Sequence, residues 1–158
     1  MTVSVRDARS TDASLIADFN TALALESEGK VLDRTLLEPG VRALLADPWK
    51  GRYILAERGG RVVGQTMITY EWSDWRDGMF WWIQSVYVEP AHRQHGVFRA
   101  LYQHLLDAAR RDPTVCGIRL YVEDNNQRAK QTYHALGMQR GGYEVLELDF
   151  RAPTKAKA

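Results

Sequence analysis

A run of aromatic and β-branched residues from Met79 to Val88 stops at Pro90, a basic turn with one glycine follows, and a helical pattern begins at once. Proline has no N–H and a fixed φ, so the strand cannot run through it. The helix that starts behind the turn leaves its first amides without intrahelical acceptors and carries partial positive charge at that end. The segment Arg93-Gln94-His95-Gly96-Val97-Phe98-Arg99 therefore joins a helix N-terminus, a glycine that lets the backbone approach a phosphate, and two arginines. These are the ingredients of an anion cradle, without the Lys-Ser/Thr of a nucleotide P-loop. Taken alone, an Arg-x-x-Gly turn more often marks only a helix start.

The flanking pattern alternates between strands and helices. Val3–Ala8 reads as a strand, followed by a helix from about Thr11 with Ser10 or Thr11 as its N-cap. Leu15, Phe19, Ala22 and Glu26 recur at helical spacing and share one face. A second helical stretch runs from Asp33 to about Ala46, with an expected interruption at Pro39-Gly40, and Pro48 closes it. Arg52–Glu57 and Arg61–Trp72 form a hairpin about the Gly59-Gly60 turn. After the Met79–Val88 strand comes a helix from Gly96 to about Arg111, with Val97, Leu101, Leu105 and Ala109 as its apolar stripe. Gly117–Glu123 reads as a strand, Asn126 caps a helix that Gly137 ends, and Tyr143–Phe150 reads as a final strand. This order predicts an α/β fold: one domain over 1–152 with a mixed, largely antiparallel sheet and helices on both faces, and a fraying tail over 153–158.

Two segments carry a family resemblance. Arg93-Gln94-His95-Gly96-Val97-Phe98, preceded by Val86-Tyr87-Val88-Glu89-Pro90, resembles motif A of the GNAT family of N-acetyltransferases, Arg/Gln-x-x-Gly-x-Gly/Ala behind a strand. Further along, Asn126-Gln127-Arg128-Ala129-Lys130-Gln131-Thr132-Tyr133-His134-Ala135-Leu136-Gly137-Met138 is similar to the family's second signature, Asn-x-x-Ala-x-x-x-Tyr-x-x-x-Gly-Phe. The resemblance implies acetyl-CoA as cofactor. It assigns the backbone of Val86 and Val88, with Tyr87 between them, to the pantetheine arm, and the amides from Gln94 through His95, Gly96, Val97 and Phe98 to Arg99 to the pyrophosphate. Asn126 would touch the pantetheine region, and Tyr133 would protonate the departing thiolate. Without the resemblance, Tyr133 reads as a core aromatic. Phe98 departs from the family's Gly/Ala, which implies altered packing near the diphosphate.

The acceptor side is less constrained. Many GNAT members place a Glu nine residues before the first motif residue, and here that position is Gln84, which cannot act as a base. Glu26 ends the Leu15–Phe19–Ala22 face and Glu71 alternates with Gln65, Met67 and Thr69, so both are candidates for the base and for acceptor binding. Glu28 reads as a solvated loop residue. Trp72, Trp75, Trp81 and Trp82 crowd around a turn holding Asp74 and Asp77, a composition that suits a small cationic amine or, equally, strand core and a homodimer interface. Trp72, Trp82 and Gln84 join the acceptor candidates. The missing Glu motivates a second expectation, a non-catalytic acyl-CoA-binding or regulatory module.

Charge and cysteine usage narrow the remaining classes. Lys and Arg number 21 against 20 Asp and Glu, a net +1, so nothing here calls for nucleic acid or a membrane as partner. Cys116 is the sole cysteine, read as a buried small hydrophobe, and the four histidines have no metal-ligand spacing. No signal-like or membrane-length apolar run appears, so a cytoplasmic location is expected.

Overall fold

The computed structural model describes residues 1–151; the expected tail lies outside the described residues. Contacts cluster in two compact units, Met1–Tyr121 and the residues from Val122 on. The first unit holds a five-stranded sheet in the order β1 (Val3–Asp7), β2 (Arg52–Arg58), β3 (Arg61–Ser73), β4 (Gly78–Val88) and β5 (Val115–Leu120). The first four pair antiparallel, and β5 joins β4 in parallel. The fold is thus α/β with a mixed, mostly antiparallel sheet.

Helices cover both faces. Helices α1 (Ala13–Glu28) and α2 (Arg34–Ala46) pack their Ala13, Ile16, Ala17 and Val41 side chains on Tyr53 and Leu55, with Leu37, Leu44 and Met67 alongside. Helix α3 (Val97–Arg111) lies on the other face, where Phe98, Leu101, Tyr102 and Leu105 meet Thr66, Ile83 and Val86. Its expected stripe is buried throughout, with Val97, Leu101, Leu105 and Ala109 each at 6% exposure or less. Each such burial contributes about 1.5–3 kcal/mol for the larger side chains, enough to seat α3 and hence the turn before it.

Several boundaries differ from the sequence reading. A single 3-10 turn, Ser10–Asp12, precedes α1, so neither Ser10 nor Thr11 caps it; Asp12 is the residue before the helix. The buried residues of α1 are Ala13, Ile16, Ala17, Phe19, Asn20 and Ala24, so Phe19 of the expected face is buried while Leu15 is half-buried and Glu26 exposed. Helix α2 passes through Pro39 without a break: one backbone bond is lost there, but Leu37, Val41 and Leu44 on either side remain packed on the core. Asp33 caps it by accepting from Thr35 N. Cys116 is exposed, because it falls where the β4–β5 register shifts between Met79 and Phe80 and displaces it from the ladder.

In the second unit, Asn126 caps α4 (Gln127–Ala135) by accepting from Ala129 N at 3.0 Å, and Gly137 ends it at φ 94°. Tyr143–Phe150 forms no strand among the described residues, and Tyr143, Val145, Leu146, Leu148 and Phe150 are exposed. Alternation records which side chains could share a face; a strand also needs a neighbour for its backbone.

Candidate active site

The anion cradle is built where the helical stripe ends. Gln94 and Gly96 both take left-handed backbone, φ 62° and 80°, and Gly96 stands as N-cap of α3. Ala100 N reaches Gly96 O at 3.0 Å, while the amides of Gln94, His95, Gly96, Val97 and Arg99 find no backbone acceptor among the described residues. Phe98 does not crowd this turn: its ring packs toward Tyr102, centroids 6.1 Å apart. Val97 is buried against Gly64, where an added Cβ would come within 2.9 Å of Val97 Cγ1.

Arg93 is tied down. Its Nε donates to Val88 O at 2.9 Å, its Nη2 meets Glu26 Oε2 at 2.7 Å, and its guanidinium stands 5.7 Å from the Tyr87 ring centroid. Tyr87 in turn tilts against Phe19 of α1. Burial raises the Tyr87 phenol's pKa above its usual value, and the Glu26 carboxylate adds to the effect. Glu26, a candidate base, is thus a partner of the cradle's first residue.

Strand β4 is paired on both sides only in its first half. The last β5 partner is Leu120 opposite Ile83, so on that side Gln84 to Val88, including Val86 and Tyr87, have no strand partner among the described residues. An extended chain can add to such an edge as an extra strand. At the same point the β3–β4 register skips: Gln65 faces Tyr87 but Met67 faces Gln84, so β4 carries one extra residue. Ser85 sits in this bulge at φ 53°.

Behind the bulge lies a buried polar chain that the sequence reading missed. Gln65, fully buried, donates from Nε2 to Asn20 Oδ1 at 2.9 Å and to Ser85 O at 3.2 Å. Asn20 Nδ2 donates to Tyr53 OH at 2.9 Å. Burial raises the Tyr53 phenol above its usual pKa, and the bond to Asn20 opposes that rise. The available sequence cue was Asn20, a polar residue on the buried stripe of α1.

On the same sheet face, Glu71 is shared between Arg119 Nη1 at 2.7 Å and Trp82 Nε1 at 3.2 Å. Trp82 stacks on Tyr121 with centroids 4.4 Å apart, and Gln84 donates to Thr69 Oγ1 at 2.6 Å. Of the four tryptophans, Trp82 is the one that reaches Glu71. Trp81 is buried and stands near Arg52, while Trp72 and Trp75 are exposed. In the second unit, Tyr133 is half-buried on α4, and the Asn126 side-chain oxygen is engaged as the helix cap.

A family model for the acetyltransferase (GNAT) family matches residues 17–138, which takes in the cradle, β4 and α4. The chain belongs to the GNAT family. Among GNAT relatives, an L-methionine sulfoximine/L-methionine sulfone acetyltransferase from Salmonella typhimurium is 30% identical over 147 residues, covering 85% of this chain and 79% of that protein. A solved structure of a "possible acetyltransferase" from Clostridium difficile 630 superposes with a TM-score of 0.88 at 45% identity, covering 94% of this chain and 98% of that one. A ribosomal-protein-alanine N-acetyltransferase from Brucella melitensis shares the GNAT fold, with a TM-score of 0.75 at 17% identity over 94% of this chain and 99% of that one. No helix among the described residues is long and apolar enough to cross a membrane.

Proposed function

We propose that this chain transfers the acetyl group of acetyl-CoA directly to the primary amine of a small acceptor. The observation that carries this reading is the run of backbone from the β4 edge, where no fifth strand covers Gln84–Val88, to the amides of Gln94, His95, Gly96, Val97 and Arg99, which find no backbone acceptor among the described residues. The fit to the cofactor rests on that backbone: an edge suits the amide-rich pantetheine arm, and amides at a positively polarised helix end suit a diphosphate. Phe98, turned toward Tyr102, leaves the loop open to it.

Bound acetyl-CoA would supply a thioester carbonyl to the amine nitrogen, so that a C–N bond forms, the C–S bond breaks and the sulfur leaves as thiolate. The family resemblance would give Tyr133 the return of a proton to that sulfur. The amine must lose a proton, and Glu71 on the sheet face is the acceptor group best placed to orient it or take it, directly or through water. Glu71 already bonds Arg119 and Trp82, so it also anchors the amine end of the acceptor. Glu26 lies on the cofactor side, paired with Arg93 and able to yield it to the diphosphate. Trp82 and Gln84 line the acceptor side, with Trp72 at the strand's far end. The similarity to an acetyltransferase of methionine derivatives supports a small amino-acid-like amine over a large partner.

Calorimetric titration of acetyl-CoA, followed by a thiol-release screen against an amine panel, tests the proposal. Binding with release of free CoA for one class of amine is expected. Binding without release for any amine would favour a non-catalytic acyl-CoA module, and no binding would end the reading.

A further inference from the structure

We propose that Asn20, Tyr53 and Gln65 form a positioning network whose task is to fix the β4 bulge at Ser85 and so aim the backbone that meets the thioester. The inference rests on the acetyl-transfer reading above and adds to it three residues that neither family motif contains. Three polar side chains lie buried together behind the bulge, and burying each costs free energy unless it is hydrogen-bonded. An apolar core residue at Gln65 would avoid that cost. The chain ends on Ser85: Gln65 Nε2 donates to its carbonyl and to Asn20 Oδ1, and Asn20 Nδ2 donates in turn to Tyr53 OH.

The orientation of the Gln65 amide is dictated by its neighbours. Asn20 Oδ1 and Ser85 O are both acceptors, so Nε2 must face them, and Oε1 has no donor among the described residues. A buried acceptor left unpaired forfeits its hydration without replacing it. Ser85 adds to this a left-handed backbone conformation, which is strained for a residue with a side chain. Both costs converge on one peptide group. Because that peptide is planar and trans, holding the Ser85 carbonyl toward Gln65 aims the Val86 N–H the opposite way. A fixed N–H at the place where β5 leaves β4 is a preorganised donor for charge developing on a thioester oxygen.

Acetyl-CoA binding to the wild-type chain is measured first; its absence overturns the acetyl-transfer reading and the network proposal falls with it. Given binding, isotope-edited infrared spectroscopy reads the carbonyl stretch of bound carbon-13 acetyl-CoA in the wild type, Gln65→Met and Tyr53→Phe. The wild-type band is expected below its solution frequency. Both variants should move it back toward solution, lower turnover by about tenfold or more, and leave the acetyl-CoA Kd unchanged. Tyr53→Phe loses only a hydroxyl, so it decides the matter if Gln65→Met fails to fold. A band and turnover identical in the wild type and Tyr53→Phe would overturn the proposal.

Discussion

Arg93 fastens the end of the first helix to the turn that opens α3, with its Nη2 at 2.7 Å from Glu26 Oε2. Both side chains are 44% exposed. An exposed pair of this kind contributes about 0–1 kcal/mol, so it can be exchanged for a better anion at little cost. Glu26→Gln is therefore expected to tighten acetyl-CoA binding by up to about fivefold, with a steeper salt dependence, measured by calorimetry. Weaker binding would show that Glu26 holds Arg93 in its productive place.

Tyr133→Phe is expected to lower turnover by about a hundredfold, the lower end of what a positioned acid supplies, with little change in acetyl-CoA affinity. Steady-state kinetics beside a direct titration separates the two effects. Unchanged turnover would remove Tyr133 as the proton donor.

Glu71→Gln separates a base from an anchor. If Glu71 takes the amine proton, kcat falls by about a hundredfold or more and the pH–rate profile loses its rising limb. If it only anchors the acceptor, KM rises and kcat holds.

Gly64 lies beneath the start of α3, where an added Cβ would meet Val97 Cγ1 at 2.9 Å and Tyr87 O at 3.1 Å. Gly64→Ala is expected to cost about 1–3 kcal/mol of stability, the usual range for overpacking. A thermal melt reads that loss. Since Val97 follows the Gly96 cap, acetyl-CoA affinity should fall with it.

Arg6 grips Asp12 with two bonds, at 2.8 and 3.1 Å, and also reaches Glu57. The Arg6 bonds hold the Asp12 carboxyl below its usual pKa, against the opposing effect of burial. A carboxyl lowered by folding contributes stability that is complete above its unfolded value of about 4 and fades as pH drops through the folded value. Melting temperatures measured from about pH 6 down to pH 2 should fall more shallowly in Asp12→Asn than in the wild type. Parallel curves would remove Asp12 as a source of acid sensitivity.

What the sequence made legible was local. The Val97–Leu101–Leu105–Ala109 stripe, the Asn126 cap and the Gly96 turn each follow from neighbours a few residues apart, and each is found in place. Features that depend on distant partners were out of reach. Cys116 is exposed through a register shift against Met79 and Phe80, and Tyr143–Phe150 alternates but forms no strand among the described residues. The same holds for the site. Glu26 and Glu71 read alike along the chain, and only their partners, Arg93 and Arg119, part them. Ser85 offers no local reason for a left-handed conformation, since the side chains that impose it come from α1, β2 and β3.

The half-covered β4 strand also bears on handling the protein. An edge with open N–H and C=O groups is a template for any extended chain, including a second copy of the same segment. An empty site would thus be the form most prone to associate with itself, and a filled one would mask the template while adding binding free energy to stability. Supplying coenzyme A during purification should preserve monodispersity for the same reason that it occupies the site.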